Sequence, residues 1–158
     1  MARRIEHTLP VFPWLVCESQ HRIVGYAYSA AHRARAAYRW SVDTSVYVHS
    51  EFRRRGIGKG LYVSLFRILA AQGYFNAFAG ITLPNPGSVK LHESVGFQPI
   101  GCYRDVGYKL GSWRDVGWWQ RVVRPLVETP DAAVPLEECC RLPEWNQMLA
   151  AGLEFIHA

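Results

Sequence analysis

The chain has 158 residues, 49% of them hydrophobic and 20% charged, with a formal net charge of +5. That length favours one domain with a sizeable core, and the composition excludes a disordered chain. No apolar run approaches the roughly 20 residues of a membrane helix, and the basic start lacks the apolar stretch of a secretory leader; a cytoplasmic protein with no membrane contact is expected.

Residues 14–18 read as a strand, 18–21 as a turn and 23–28 as a second strand, together a hairpin. A polar and aromatic loop follows over 30–40, carrying Arg33, Arg35, Tyr38 and Arg39. Residues 41–49 alternate: Val42, Thr44, Val46 and Val48 share one face, and Asp43, Ser45 and Tyr47 share the other. After the loop Arg53-Arg54-Arg55-Gly56-Ile57-Gly58, the residues Ile57, Leu61, Leu65, Ile68 and Leu69 fall on helical spacing, with Gly73 as the stop. Residues 76–83 form a short buried strand. Asn85 and Pro86 then make an N-cap and a first helical residue, and Gly96 ends that helix. Residues 97–103 read as a strand that 106–110 continue after a bend, and 116–123 as the last strand. The Pro-punctuated stretch 125–158 holds Trp145, Met148, Leu149, Leu153 and Ile156 at the spacing of one amphipathic helix.

The four cysteines show no Cys-x-x-Cys pair and no zinc-type Cys/His spacing, so no metal is expected. Cys17 and Cys102 sit in apolar runs and read as small core residues, while Cys139 and Cys140 adjoin in a polar tail. The positive charge is nearly all arginine, which suits bidentate contact with phosphate or carboxylate.

The segment from Ser45 to about Leu69 carries the clearest chemistry. The first N–H groups of a helix have no internal partner and point outward with the positive end of its dipole, which makes an anion site. Gly56 and Gly58 let the backbone approach an anion without a Cβ in the way. Arg53, Arg54 and Arg55 add charge. The pattern is neither a Gly-x4-Gly-Lys-Ser/Thr loop nor Gly-x-Gly-x-x-Gly, since position 61 is leucine. A nucleotide diphosphate is the ligand these residues suggest.

Val46-Tyr47-Val48 followed by Arg53-Arg54-Arg55-Gly56-Ile57-Gly58 resembles the acetyl-CoA-binding segment of GNAT N-acetyltransferases. Asn85, Ser88, Leu91-His92-Glu93 and Gly96-Phe97 are similar to the next motif of that superfamily. Pro13-Trp14-Leu15-Val16, Asp43-Thr44-Ser45-Val46-Tyr47-Val48, Val106-Gly107-Tyr108-Lys109 and Trp113-Arg114-Asp115-Val116-Gly117 resemble the phosphinothricin N-acetyltransferases within it.

The resemblance implies acetyl-CoA as cosubstrate and direct attack of a small amino-acid-like amine, of the phosphinothricin or methionine sulfone or sulfoximine type, on the thioester. A base must remove a proton from the ammonium. Asp43 is the first candidate, at a position where similar enzymes usually carry glutamate; His92 is the second, as base or relay. Cofactor contacts fall by resemblance on Val46, Tyr47, Val48, Arg53, Arg54, Arg55, Gly56, Ile57, Gly58, Lys59, Asn85 and Ser88. Substrate contacts fall on Arg33, Arg35, Tyr38 and Tyr47. Dimers are common in the family, so a homodimer is one expected arrangement.

The expected fold is α/β: a GNAT-type mixed, mostly antiparallel sheet with a central splay and flanking helices, lacking the first strand and helix of the full fold. Residues 1–124 form the acetyltransferase domain and 125–158 a Pro-rich tail with a terminal helix. The short start before Trp14 sustains an alternative, a truncated remnant that binds CoA without catalysis. A basic nucleic-acid-binding module is a third reading. It rests only on Arg53, Arg54 and Arg55, which the diphosphate reading already uses, so no nucleic-acid partner is expected.

Overall fold

In the computed structural model, which describes residues 2–157, the alternating stretch in mid-chain lies at the heart of a six-stranded sheet. The chain runs through helix α1 (Ala2–Thr8), strands β1 (Trp14–Ser19), β2 (Arg22–Ala31) and β3 (Ser41–Val48), helix α2 (Ile57–Gln72), β4 (Asn76–Thr82), α3 (Pro86–Ser94), β5 (Gln98–Lys109) and β6 (Ser112–Val122). Two short helices, α4 (Leu136–Cys139) and α5 (Trp145–Ala150), and a 3-10 turn (Leu153–Phe155) follow. The strand order is β1-β2-β3-β4-β6-β5, and only the β3–β4 pair is parallel. Parallel neighbours need a crossover, and α2 supplies it. The architecture is the expected mixed α/β sheet, mostly antiparallel, with flanking helices. No helix among the described residues is long and apolar enough to cross a membrane.

Alternation decides what each face of the sheet meets. Val42 and Thr44 of β3 and Ala77, Ala79 and Ile81 of β4 are buried beside α2. Helix α2 buries the expected stripe, Ile57, Leu61, Leu65, Ile68 and Leu69, and adds Tyr62 and Phe66. Each buried Leu or Ile contributes about 1.5–3 kcal/mol. Gly73 closes the helix at φ +100°, its N–H donating to Leu69 and Ala70 carbonyls. The opposite face carries an aromatic row: Trp14 stacks on Tyr28 with centroids 4.0 Å apart, and Tyr26 on Tyr47 at 5.0 Å.

Three expectations change. Strand β5 is continuous: its register shifts between Tyr103 and Gly107, where Asp105 sits at φ +48° and donates its N–H to Asp115 Oδ1 at 2.9 Å. A bulge bends the strand without ending it. Cys102 is exposed and not in the core, because β5 is the edge strand and projects into solvent. The tail is not one helix. It breaks around Gly152 and folds onto α2, where Cys139 is fully buried. Ser64 of α2 donates to the Leu149 carbonyl at 2.8 Å and accepts the Gly152 N–H at 3.0 Å.

Candidate active site

Strands β3 and β4 pair only over Ser41–Asp43 and Asn76–Phe78, although both continue further. The sheet therefore forks at Asp43 and Phe78. From Thr44 to Val48, β3 pairs with β2 but not with β4, so its other edge is open. At about 3.3 Å per residue that edge runs roughly 16 Å toward the loop before α2.

At the far end of that edge the chain turns through Arg54 at φ +63° and Gly56 at φ +75° into α2. No side chain caps the helix, and its first turn holds no acidic residue. Among the described residues, the N–H groups of Ile57, Gly58 and Lys59 enter no hydrogen bond, while Gly60 N–H closes the first turn on Gly56 O at 2.8 Å. Arg53, Arg54 and Arg55 are exposed around this start. At Gly58 the packing is close: a Cβ there would lie 2.8 Å from Leu91 Cδ2 of α3, the end of a flexible side chain. The tail borders the cradle. His157 N–H donates to Arg55 O at 2.9 Å, and Lys59 Nζ lies 4.2 Å above the Phe155 ring.

At the near end stands Asp43. Burial pushes its carboxyl above the ordinary value, and the His32 hydrogen bond and the charges of His32 and Arg33 pull it back. His32 Nδ1 lies 2.6 Å from Asp43 Oδ1. His32 also lines a cavity of about 210 Å³ with Arg33, Phe78, Ile100, Gly101, Tyr103 and Trp118. Sequence reasoning did not single out His32. The signal was its place two residues beyond the β2 partner of Asp43, which requires the strand register to be known.

His92 lies elsewhere. It is 4% exposed, and both ring nitrogens are engaged. Its Nδ1–H donates to Ser88 O at 2.7 Å, and its Nε2 accepts from Tyr62 OH at 2.8 Å. The Tyr62 hydroxyl also meets Thr44, whose own hydroxyl faces the Phe78 carbonyl at 3.3 Å. Thr44 and Asp43 point to opposite faces of β3, so His92 reaches the fork from the α2 side and Asp43 from the other. Burial holds the His92 imidazole below its ordinary pKa, partly offset by the bond to Ser88 O.

Asn85 caps α3, its Oδ1 accepting Ser88 N–H at 3.1 Å. Around the fork, Arg33 donates to His32 O and lies 5.8 Å over Trp118, and the Tyr38 ring meets His32 edge-on at 6.3 Å. Tyr47 is exposed on the Asp43 face, nearer the cradle. Arg35 is exposed in the loop and makes no side-chain bond among the described residues. No cluster of three or more metal-ligating side chains occurs among the described residues.

A mixed sheet forked at its one parallel pair, with a bare helix start at one end of the fork, defines the class of fold. The chain belongs to the acetyltransferase (GNAT) domain family, which matches residues 1–118. It is 46% identical over 110 residues to the phosphinothricin N-acetyltransferase of Streptomyces viridochromogenes, covering 70% of this chain and 60% of that protein. The corresponding Streptomyces coelicolor protein is 50% identical over 104 residues, 66% of this chain and 60% of its own length. The chain thus spans about three-fifths of these curated relatives. A phosphinothricin acetyltransferase from Sinorhizobium meliloti, solved in complex with acetyl-CoA, superposes with a TM-score of 0.73 at 31% identity, covering 85% of this chain and 76% of that one.

Proposed function

We propose that this protein transfers the acetyl group of acetyl-CoA to the primary amine of a small amino-acid-like compound of the phosphinothricin or methionine sulfone or sulfoximine type. The observation that carries the proposal is the fork: an open strand edge linking a bare, arginine-ringed helix start to a half-buried carboxylate. The N–H groups of Ile57, Gly58 and Lys59 suit a diphosphate, with Arg53, Arg54 and Arg55 adding charge. The open backbone edge over Val46, Tyr47 and Val48 suits the amide-bearing pantetheine arm, and Asn85 and Ser88 at the start of α3 are its further contacts in this reading. Bound there, acetyl-CoA supplies an activated thioester.

The chain's own residues supply the rest. Arg33, Arg35, Tyr38 and Tyr47 hold the acceptor, guanidinium pairing with its carboxylate or phosphinate. Asp43 belongs to the group that removes the ammonium proton, so that the nitrogen presents a lone pair. The Tyr62 and Ser88 bonds to His92 give it the task of holding α3 to α2 beneath the fork.

The test is release of free CoA thiol from acetyl-CoA across a panel of amino-acid analogues that includes these three. A folded chain that binds CoA in a calorimeter and acetylates nothing on the panel would reject the transferase and leave a CoA-binding protein. In a working enzyme, Asp43→Ala lowers kcat by about 10²–10⁴-fold and leaves CoA affinity unchanged. Equal loss of both would remove Asp43 from proton transfer.

A further inference from the structure

Acetyl transfer to an ammonium needs an atom that takes a proton, and the short Asp43 side chain is already engaged. In the β2–β3 ladder Ala30 stands opposite Asp43, so His32 falls diagonally beside Asp43 on the same face. His32 Nδ1 meets Asp43 Oδ1 at 2.6 Å. An ionised carboxylate only accepts, so Nδ1 carries the hydrogen, and Nε2 of the neutral ring holds a lone pair.

The ring is held from three sides. It stacks on Phe78 with centroids 4.2 Å apart and planes 19° apart, and Tyr38 and Trp118 meet it edge-on at 6.3 Å. Phe78 is the last residue of β4 to pair with β3, so this contact sets His32 at the opening of the fork. Nε2 meets no hydrogen-bond partner among the described residues, and the ring lines the cavity of about 210 Å³. Trp118 lines the same cavity, and its Nε1 is buried with no hydrogen-bond partner among the described residues.

We propose that His32 Nε2 is the proton acceptor of the reaction and that Asp43 is its positioning partner, an assignment that rests on the acetyl transfer proposed above. An N–H bond of the substrate ammonium breaks, its electron pair stays on nitrogen, and the proton bonds to Nε2. The Asp43 carboxylate stabilises the imidazolium, which releases the proton to solvent. The Asp43 carboxylate is already occupied by the Nδ1–H, whereas the Nε2 lone pair of the same ring faces no partner among the described residues and is free to take the proton. The charged and titratable groups facing His32 are Asp43 on β3, Arg33 on its own loop, Tyr38 in the 3-10 turn Ala36–Tyr38 and Tyr103 on β5.

His32→Asn tests the assignment, because asparagine keeps a donor toward Asp43 and removes only the acceptor. The expected result is a kcat lower by about 10²–10⁴-fold, an unchanged CoA Kd, and loss of the ascending limb of the pH–rate profile set by the imidazole. The double variant His32→Asn/Asp43→Asn should be no slower than His32→Asn, since paired groups do not act additively. Turnover by His32→Asn within about threefold of wild type, alongside a large loss in Asp43→Asn, overturns the assignment and returns the base role to Asp43. A wild-type chain that binds CoA but acetylates no amine overturns the transfer itself, and this assignment with it. Nitrogen-15 NMR of the full chain gives a readout independent of turnover. The neutral His32 ring should carry its proton on Nδ1, and a proton on Nε2 overturns the proposal.

Discussion

Gly56 carries two constraints that can be separated by substitution. Its φ of +75° lies in the left-handed region, and a Cβ built on it would sit 1.6 Å from the Phe155 carbonyl oxygen. Gly58 has an ordinary helical backbone, and its Cβ would meet only the flexible end of Leu91 at 2.8 Å. Gly56→Ala should therefore cost about 1–2 kcal/mol in backbone strain and about 1–3 kcal/mol more in displaced tail. Gly58→Ala should cost less than half as much, and urea titration ranks the two. An equal loss in both would mean that the tail yields freely at Gly56. The turn that Gly56 makes into α2 was legible in the sequence, because a glycine just before a helical stripe is a matter of local chain order. His32 was not legible. Its meeting with Asp43 depends on how the nine-residue connection over 32–40 sets the β2–β3 register, and no local pattern encodes that. Cys102 was misread for a related reason, since its apolar neighbours look the same in a central strand and in an exposed edge strand.

Among the elements, α2 was the most readable and the tail the least. The stripe from Ile57 to Leu69 repeats at helical spacing, so one buried face follows from the sequence itself. The tail meets α2 across long sequence separations, and it does so through backbone. A Cβ on Gly152 would lie 1.9 Å from the Gly60 carbonyl oxygen, so the two glycines let the tail and helix touch main chain to main chain. Ser64 fastens that contact from both sides, donating to Leu149 O and accepting from Gly152 N–H. Ser64→Ala leaves both groups without their side-chain partner and should cost about 1–3 kcal/mol, read as a lower melting temperature. If the tail were only loosely laid on the helix, the variant would melt with the wild type. The same strap reaches Arg55 through His157 N–H, so the order of the tail and the shape of the cradle are mechanically linked.

For the molecule as a whole, the buried chain from Ser88 through His92, Tyr62 and Thr44 to the Phe78 carbonyl joins α3, α2, β3 and β4. It spans the fork from beneath, where the sheet lacks a ladder to hold its two halves together. Burial disfavours the charged His92 ring, and in the neutral ring Nε2 accepts from Tyr62. Burial lowers the His92 pKa in the folded state below its reference of 6.5, so the unfolded chain binds the proton more readily. The stability that His92 contributes is thus fully present above pH 6.5 and is lost as pH falls from there through the folded-state pKa. Asp43 acts in the opposite sense. Its folded-state pKa is raised above 3.8, so its contribution falls as pH rises through that lower window. A His92→Gln variant separates the two, since glutamine places a polar group near Nε2 and cannot take up the proton. Urea midpoints measured at pH 7.5 and pH 5.5 should fall on acidification for the wild type and fall less for His92→Gln. Parallel falls in both proteins would show that the proton enters elsewhere and that the buried chain does not govern the acid sensitivity of the fold.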